Sequence, residues 1–268
     1  MNPEWRARYE KAREVARSAG QLALGYFRGS LAVEWKGDLS PVTVADRRAE
    51  QFLRANLQQA FPNDGFLGEE YGDTPGSSGF RWVLDPIDGT RNFVRGIPLW
   101  ATLVGLEHRG EQVAGVVEVT GLRDSYHALR GEGAYLNDRR VRVSDQADLG
   151  RALVFYSSLS WFLKAGHERA FLELVRRTER QRGFGDFYGF ALVAQGCGEV
   201  MVEHGVHPWD VAAIKVLIEE AGGRFSDWDG GTGIHRPDVV VSNARLHDEV
   251  LAVLRGEVRD APPPAHPE

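Results

Sequence analysis

Three short acidic pieces carry the chemistry this chain can do: Glu69-Glu70, the run Trp82-Val83-Leu84-Asp85-Pro86-Ile87-Asp88-Gly89-Thr90, and Pro208-Trp209-Asp210 far downstream. Glu69, Asp85, Asp88 and Asp210 are hard oxygen donors, and Mg²⁺ is usually held by a few carboxylates together with substrate phosphate and water. Asp85 and Asp88 are spaced so that both can turn toward one point, with Pro86 stiffening the chain between them. In that reading Asp85 bridges two cations, Asp88 holds one, and the Ile87 carbonyl is a further oxygen ligand where the chain turns. Gly89-Thr90 marks the start of a short helix, whose first amides are open to an anion. Cation ligands and a phosphate cradle in one segment suggest metal-assisted phosphoryl chemistry. The same residue types also make an ordinary strand-to-helix turn. Glu69-Glu70 alone reads as a solvated acidic pair, and Asp210 alone as a first-turn helix residue. The ligand reading draws its weight from the three pieces together.

These groups need rigid elements to hold them. Apolar residues at Trp5, Tyr9, Ala12, Ala16, Ala19, Ala23 and Tyr26 give helical spacing over residues 3–28. Leu31 to Lys36 alternates as a strand. Thr43, three residues before Asp46, predicts a capping-box start to a helix that buries Ala49, Phe52, Leu53 and Leu57 and stops near Pro62. Asp46 thus falls in a first helical turn. Gly65–Leu67 and Arg81–Leu84 read as short strands running into the acidic pieces, with residues 74–79 as a loop between them. Leu99–Leu106, Val113–Val119 and Ser125–Leu129 read as successive antiparallel strands, punctuated by turns at Gly131-Glu132-Gly133 and Asn137-Asp138. Beyond residue 150 strands and helices alternate: strands at 152–156, 199–203, 224–226 and 239–242, an extended stretch at 180–184, and helices at 161–178, 187–195, 211–221 and 245–254. The expected organisation is one domain over residues 1–260. An α+β lobe (1–150) carries the metal motifs, an α/β lobe (151–260) follows, and 261–268 is a disordered tail.

Composition narrows the function classes. The chain has 268 residues, 43% hydrophobic and 26% charged, as in an ordinary soluble domain. A net charge of −6 argues against nucleic acid as a partner. Cys197 is the single cysteine, so an internal disulfide and a cysteine-based zinc site are excluded; its apolar neighbourhood reads as a buried structural thiol. No apolar run approaches a membrane span and the N-terminus lacks a signal-peptide layout, which predicts a cytoplasmic protein without membrane contact.

Glu69-Glu70, Asp85-Pro86-Ile87-Asp88-Gly89-Thr90-Arg91-Asn92-Phe93 and Pro208-Trp209-Asp210-Val211-Ala212-Ala213 resemble the signatures of the inositol monophosphatase family. The likeness runs from Lys36 and Ser40-Pro41-Val42-Thr43-Val44-Ala45-Asp46 to Gly222-Gly223. It implies an αβαβα layered α/β sandwich, of the type shared by inositol monophosphatase and fructose-1,6-bisphosphatase. It also implies an Mg²⁺-dependent, lithium-sensitive phosphomonoesterase using two or three ions. Glu69, Asp85 and the Ile87 carbonyl would hold the first metal, Asp85, Asp88 and Asp210 the second, and Glu69 would touch a weaker third. Thr90, oriented by Asp46, would help activate water; the Gly89 and Thr90 amides would hold phosphate; Glu70 would support the ligands from behind. A homodimer is the assembly the family suggests.

Asn92-Phe93-Val94-Arg95-Gly96-Ile97-Pro98-Leu99-Trp100 and Arg182-Gly183-Phe184-Gly185-Asp186-Phe187-Tyr188 look more like the family's histidinol-phosphate phosphatase branch than its inositol branch. Ile214 stands where many inositol enzymes have Gly. Histidinol phosphate carries an amine and an imidazole, so its pocket needs acceptors. Asp186 and Glu203 are the candidates, with Trp100 or Tyr188 as aromatic walls; Asp186 reads equally as a helix cap. The rivals are the same chemistry on inositol 1-phosphate or a broad set of sugar phosphates, a 3′-nucleotide phosphatase, and a regulatory binder of the same fold.

Overall fold

The computed structural model describes residues 2–29, 33–35 and 41–258. Lys36, Ser40 and the expected tail at 261–268 lie outside the described residues. Packing divides the chain into two compact units. The first holds the chain through Arg140 together with Trp209–Leu217, and the second holds Val141–Pro208 and the chain from Ile218 onward.

The first unit opens with α1 (Pro3–Leu24), the two-stranded pair β1 (Val33–Trp35) and β2 (Pro41–Thr43), and α2 (Val44–Ala60). Thr43 and Asp46 form the expected reciprocal capping box at the start of α2. There follow β3 (Gly65–Gly68), β4 (Gly72–Thr74), β5 (Phe80–Asp88), the short α3 (Thr90–Val94), β6 (Ala101–His108), β7 (Glu111–Val119), β8 (Asp124–Leu129), β9 (Gly133–Leu136) and β10 (Arg139–Val141). Their sheet runs in the order β10-β9-β8-β7-β6-β5-β3-β4. It is antiparallel except where β3 runs parallel to β5.

Side chains alternate across a strand, so the two faces of this sheet have different tasks. Trp82, Leu84, Val104, Leu106, Ala114 and Val116 face Ala12, Ala16, Ala19, Leu53 and Leu57 of α1 and α2 in one apolar core. The opposite face carries Gly105 and Gly115, paired directly across β6 and β7. There the chain segment 209–217, within helix α7 (Pro208–Glu220), is seated on the sheet. A Cβ on Gly115 would lie 2.2 Å from the Ala213 carbonyl oxygen, and one on Gly105 would lie 2.8 Å from the Ala212 Cβ. The two glycines let the helix backbone approach the strands, and that approach places Asp210.

The second unit contains β11 (Leu153–Tyr156), α4 (Leu159–Lys164), α5 (Glu168–Arg177), β12 (Arg180–Arg182), α6 (Asp186–Ala194), β13 (Val200–His204), β14 (Arg224–Ser226), β15 (Asp238–Ser242) and α8 (His247–Leu254). Its sheet order is β12-β11-β13-β15-β14, with β11 parallel to β12 and β13. Val154, Val200, Val202 and Val240 pack against Phe171 and Leu174 of α5 and Val250 and Leu251 of α8. Met201 points the other way, against Gly189 of α6. Each unit combines helices with a sheet, the mixed α/β class the sequence predicts.

Three expectations need correction. The single helix expected at 161–178 is two, because Gly166 adopts φ 73° between α4 and α5 and ends the first. The strand expected at 81–84 continues to Asp88, for a reason given below. Cys197 is exposed just beyond α6 rather than buried.

Replacing Gly115 by Ala should lower stability to denaturant by about 1–3 kcal/mol, the usual range for a forced insertion into packed structure. It should also weaken divalent-cation binding, because the displaced helix carries Asp210. A variant with unchanged unfolding and unchanged cation binding would contradict this account of the seat.

Candidate active site

The parallel pairing of β3 with β5 sets Gly68 opposite Leu84, and the Glu69 amide continues the ladder by donating to the Leu84 carbonyl at 3.2 Å. Glu69 therefore emerges beside Asp85. Asp85 shares a face with Gly105 and Gly115, the side that receives Asp210.

Asp88, three positions on, would point to the opposite face of a regular strand. A bulge corrects this. Asp85 pairs with Leu103 and Asp88 with Ala101, so three steps on β5 match two on β6. The irregularity centres on Pro86, which has no amide to give a ladder. Its carbonyl is satisfied by the buried Thr102 hydroxyl at 2.9 Å, and the Ile87 amide donates to Asp85 Oδ1 at 3.0 Å. This is why the strand survives through the acidic run. Nothing in a lone Thr within an apolar strand announces that task, and Thr102 was not foreseen.

As a result Asp85, Asp88 and Asp210 each bring a carboxylate oxygen within 4.8 Å of the others. Asp85 and Asp88 are buried and Asp210 is half-buried. Burial holds the Asp85 carboxyl well above the usual carboxylate range. The negative charges of Glu69, Asp88, Asp210 and Asp46 push it further, in that order. The donors are oxygens only, crowded and desolvated. A hard divalent cation offsets both the repulsion and the lost hydration, so these residues fit such an ion.

Gly89 follows in the left-handed region at φ 84° and ψ 35°, and α3 begins at Thr90. The Thr90 hydroxyl lies 3.2 Å from Asp46 Oδ1 and 2.9 Å from the Ile87 carbonyl. It has one proton and donates to one of them at a time. Asp46 is buried, and its Oδ2 accepts from the Thr43 amide at 2.8 Å and the Thr43 hydroxyl at 2.6 Å. Burial raises its pKa; the two Thr43 bonds oppose the rise and the Glu70 charge adds to it. Glu70 is thus near Asp46, and its amide donates to the buried Glu50. Asn92 anchors the exit from α3 by donating to the Leu99 carbonyl at 2.9 Å. Beneath the turn, Ile87, Phe93 and Trp100 form an apolar cluster with Ala23 and Ala45. Trp100 is fully buried in that cluster and is no wall for a substrate.

Asp186 and Glu203 belong to the second unit. Glu203 is buried on the α6 side of β13 and accepts from the Ser157 hydroxyl. Gly185 presses on Ser157, where a Cβ would come within 2.2 Å of the Ser157 Cβ. Asp186 opens α6 with φ 54°, an uncommon conformation for a residue with a side chain. It is the first helical residue and not the cap, a position that falls to Gly185. Tyr188 packs edge-on against Phe184 and Phe187. In the second unit Ser157 thus touches both Glu203 and Gly185, the residue before Asp186.

The sequence profile of the inositol monophosphatase family matches residues 4–259. A histidinol-phosphatase of Mycobacterium tuberculosis is 42% identical over 84% of this chain and 88% of its own length. One from Chlorobaculum parvum is 40% identical over 92% of this chain and 96% of its own. The crystal structure of the extragenic suppressor protein suhB from Bartonella henselae superposes with a TM-score of 0.87 at 31% identity. That match covers 93% of this chain and 98% of the other.

Without divalent cations, Asp85→Asn should melt at a higher temperature than the wild type, because a buried charge among like charges is removed. Cations should raise the wild-type Tm, by about 2.7 kcal/mol of added stability at a hundredfold excess over Kd. The variant should lose most of that gain. Thermal scans with and without cation decide this, and an equal gain in both proteins would exclude Asp85 as a ligand.

Proposed function

Because the chain belongs to the inositol monophosphatase family, and is a phosphoric monoester hydrolase acting on a small phosphorylated substrate, we propose that it releases L-histidinol and phosphate from L-histidinol phosphate. The hydrolase chemistry rests on one observation, the convergence of Asp85, Asp88 and Asp210 beside Glu69. The substrate rests on the likeness to histidinol-phosphatases over most of the chain, with Asp186 and Glu203 as the proposed acceptors.

The cation proposed is Mg²⁺, in two or three sites. Glu69, Asp85 and the Ile87 carbonyl would hold one ion, Asp85, Asp88 and Asp210 a second, and Glu69 would touch a third. Bound there, such ions lower the pKa of water and neutralise charge on phosphate and leaving oxygen. The rest is the work of the chain. Were the Ile87 carbonyl taken up as a ligand, the Thr90 hydroxyl would donate to Asp46 Oδ1, and its oxygen would be left to accept a hydrogen bond from water. Asp46 can take that role because its other oxygen is fixed by Thr43. The Gly89 and Thr90 amides, where α3 begins, would receive phosphate oxygens. Glu70 stands behind Glu69 on the same turn. No histidine or cysteine is needed to protonate the leaving group.

Selectivity must come from groups facing the alcohol half of the substrate, since the phosphate half is common to all such substrates. A carboxylate facing an amine or ring N–H makes a charge-assisted hydrogen bond that an uncharged polyol matches less well. Asp186 is held in an uncommon backbone conformation, as residues serving a site often are.

Two measurements test this reading. L-histidinol phosphate should show a higher kcat/KM than inositol 1-phosphate, in a reaction that EDTA abolishes. Asp186→Ala or Glu203→Ala should each narrow the gap by about ten- to a hundredfold, the cost of one charge-assisted bond. Equal rates on both substrates would sink the histidinol assignment and favour a general phosphatase. Thr90→Ala should depress kcat far more than KM, because its contact with water matters in the transition state. A change confined to KM would mean that Thr90 only positions phosphate.

A further inference from the structure

The turn that carries Glu69 is tied to helix α2 by an ion pair whose carboxylate is fully buried. Asp46, Glu50 and Arg54 recur at i, i+4 and i+8 and so form one polar stripe on α2. The first member faces Thr90. The second is fully buried: Glu50 Oε2 accepts from the Glu70 amide at 2.7 Å, and Oε1 accepts from Arg54 Nε at 2.7 Å. The third reaches past the turn. Arg54 Nη2 donates to the Gly72 carbonyl at 2.6 Å, and Nη1 to the Thr74 hydroxyl at 3.2 Å. The turn Glu69-Glu70-Tyr71 and the strand that follows it, β4, are therefore tied to one helix. Gly68 completes the fit, since a Cβ there would lie 1.9 Å from Glu50 Oε1.

A carboxylate buried this deeply is costly to keep, and leaving its partner unpaired costs more. Such a pair in the core of α2 has a geometric consequence. The same helix meets Thr90 through Asp46 and the amide of Glu70, next to Glu69, through Glu50, so with the β3–β5 ladder it links the turn bearing Glu69 to the segment just after the bulge bearing Asp85. We propose that Glu50 and Arg54 are positioning residues for cation binding, acting by holding Glu69 in register with Asp85. The proposal rests on the reading of Glu69 as a ligand.

The test uses the full chain, stripped of metal, and Mn²⁺ binding followed by electron paramagnetic resonance. Glu50→Gln preserves shape but sets an amide against Arg54. It should raise the Mn²⁺ Kd by about 10–100-fold, the usual effect of losing a partner that orients a ligand. In a Glu69→Gln background the same substitution should add almost nothing, because the ligand it positions is already gone. An effect of full size in that background would show a general brace and overturn the proposal, as would wild-type affinity in Glu50→Gln. Should Glu50→Gln not fold, Arg54→Lys replaces it. That variant keeps the charge but cannot span Glu50, Gly72 and Thr74 together, so its Kd should rise in the same direction, and an unchanged Kd overturns the proposal. A wild type that takes up no Mn²⁺ overturns the ligand reading and this proposal with it.

Discussion

Mutual repulsion among Glu69, Asp85, Asp88 and Asp210 is the constraint around which the first unit is built. Carboxylates gathered this closely, with Asp85 out of water, resist being together and resist being ionised. Left to local preferences the chain would splay them apart. They converge because each is fixed from behind by backbone that has no freedom to yield. The ladder of β3 on β5 fixes Glu69, the bulge at Pro86 turns Asp88, and α7 seated on Gly105 and Gly115 brings Asp210. The strain of assembly is thus borne by sheet and helix packing and not by the site's own contacts.

Helix α2 ties two of these pieces together. Its apolar residues Leu53 and Leu57 lie in the core with Trp82 and Leu84, while its polar stripe reaches Thr90 and the turn after β3. A movement of α2 would therefore shift the Thr90 hydroxyl and the Glu69-Glu70 turn together. The fully buried Trp100 and Phe93 under the β5–α3 turn add an apolar floor, so the loop holding the acids is supported from both sides.

The likeness to histidinol-phosphatases and the crowded acids answer different parts of the functional question. Phosphomonoester hydrolysis follows from the family and from the donor set that any such substrate would meet. The residues proposed to face the alcohol half, Asp186 and Glu203, lie in the second unit, where the Ser157 hydroxyl donates to Glu203 and Asp186 follows Gly185 at the start of α6.

Sequence alone determined most of the element types, the capping box at Thr43 and Asp46, the aspartates that cluster and the family. Each of these is written in local periodicity or in a contiguous string. It did not determine parity. Read along the strand, Asp85 and Asp88 belong to opposite faces, and only pairing with β6 shows that a bulge returns them to one. Glu50, Arg54 and Thr102 looked like ordinary helix and strand residues because their partners lie elsewhere in the chain. Trp100 and Cys197 were misplaced for the same reason, since burial is a property of what packs on a residue and not of its neighbours in sequence. Gly105 and Gly115 carried no signal at all. Their importance is the absence of a side chain where a helix more than ninety residues downstream must touch the sheet, and only the tertiary structure shows that approach.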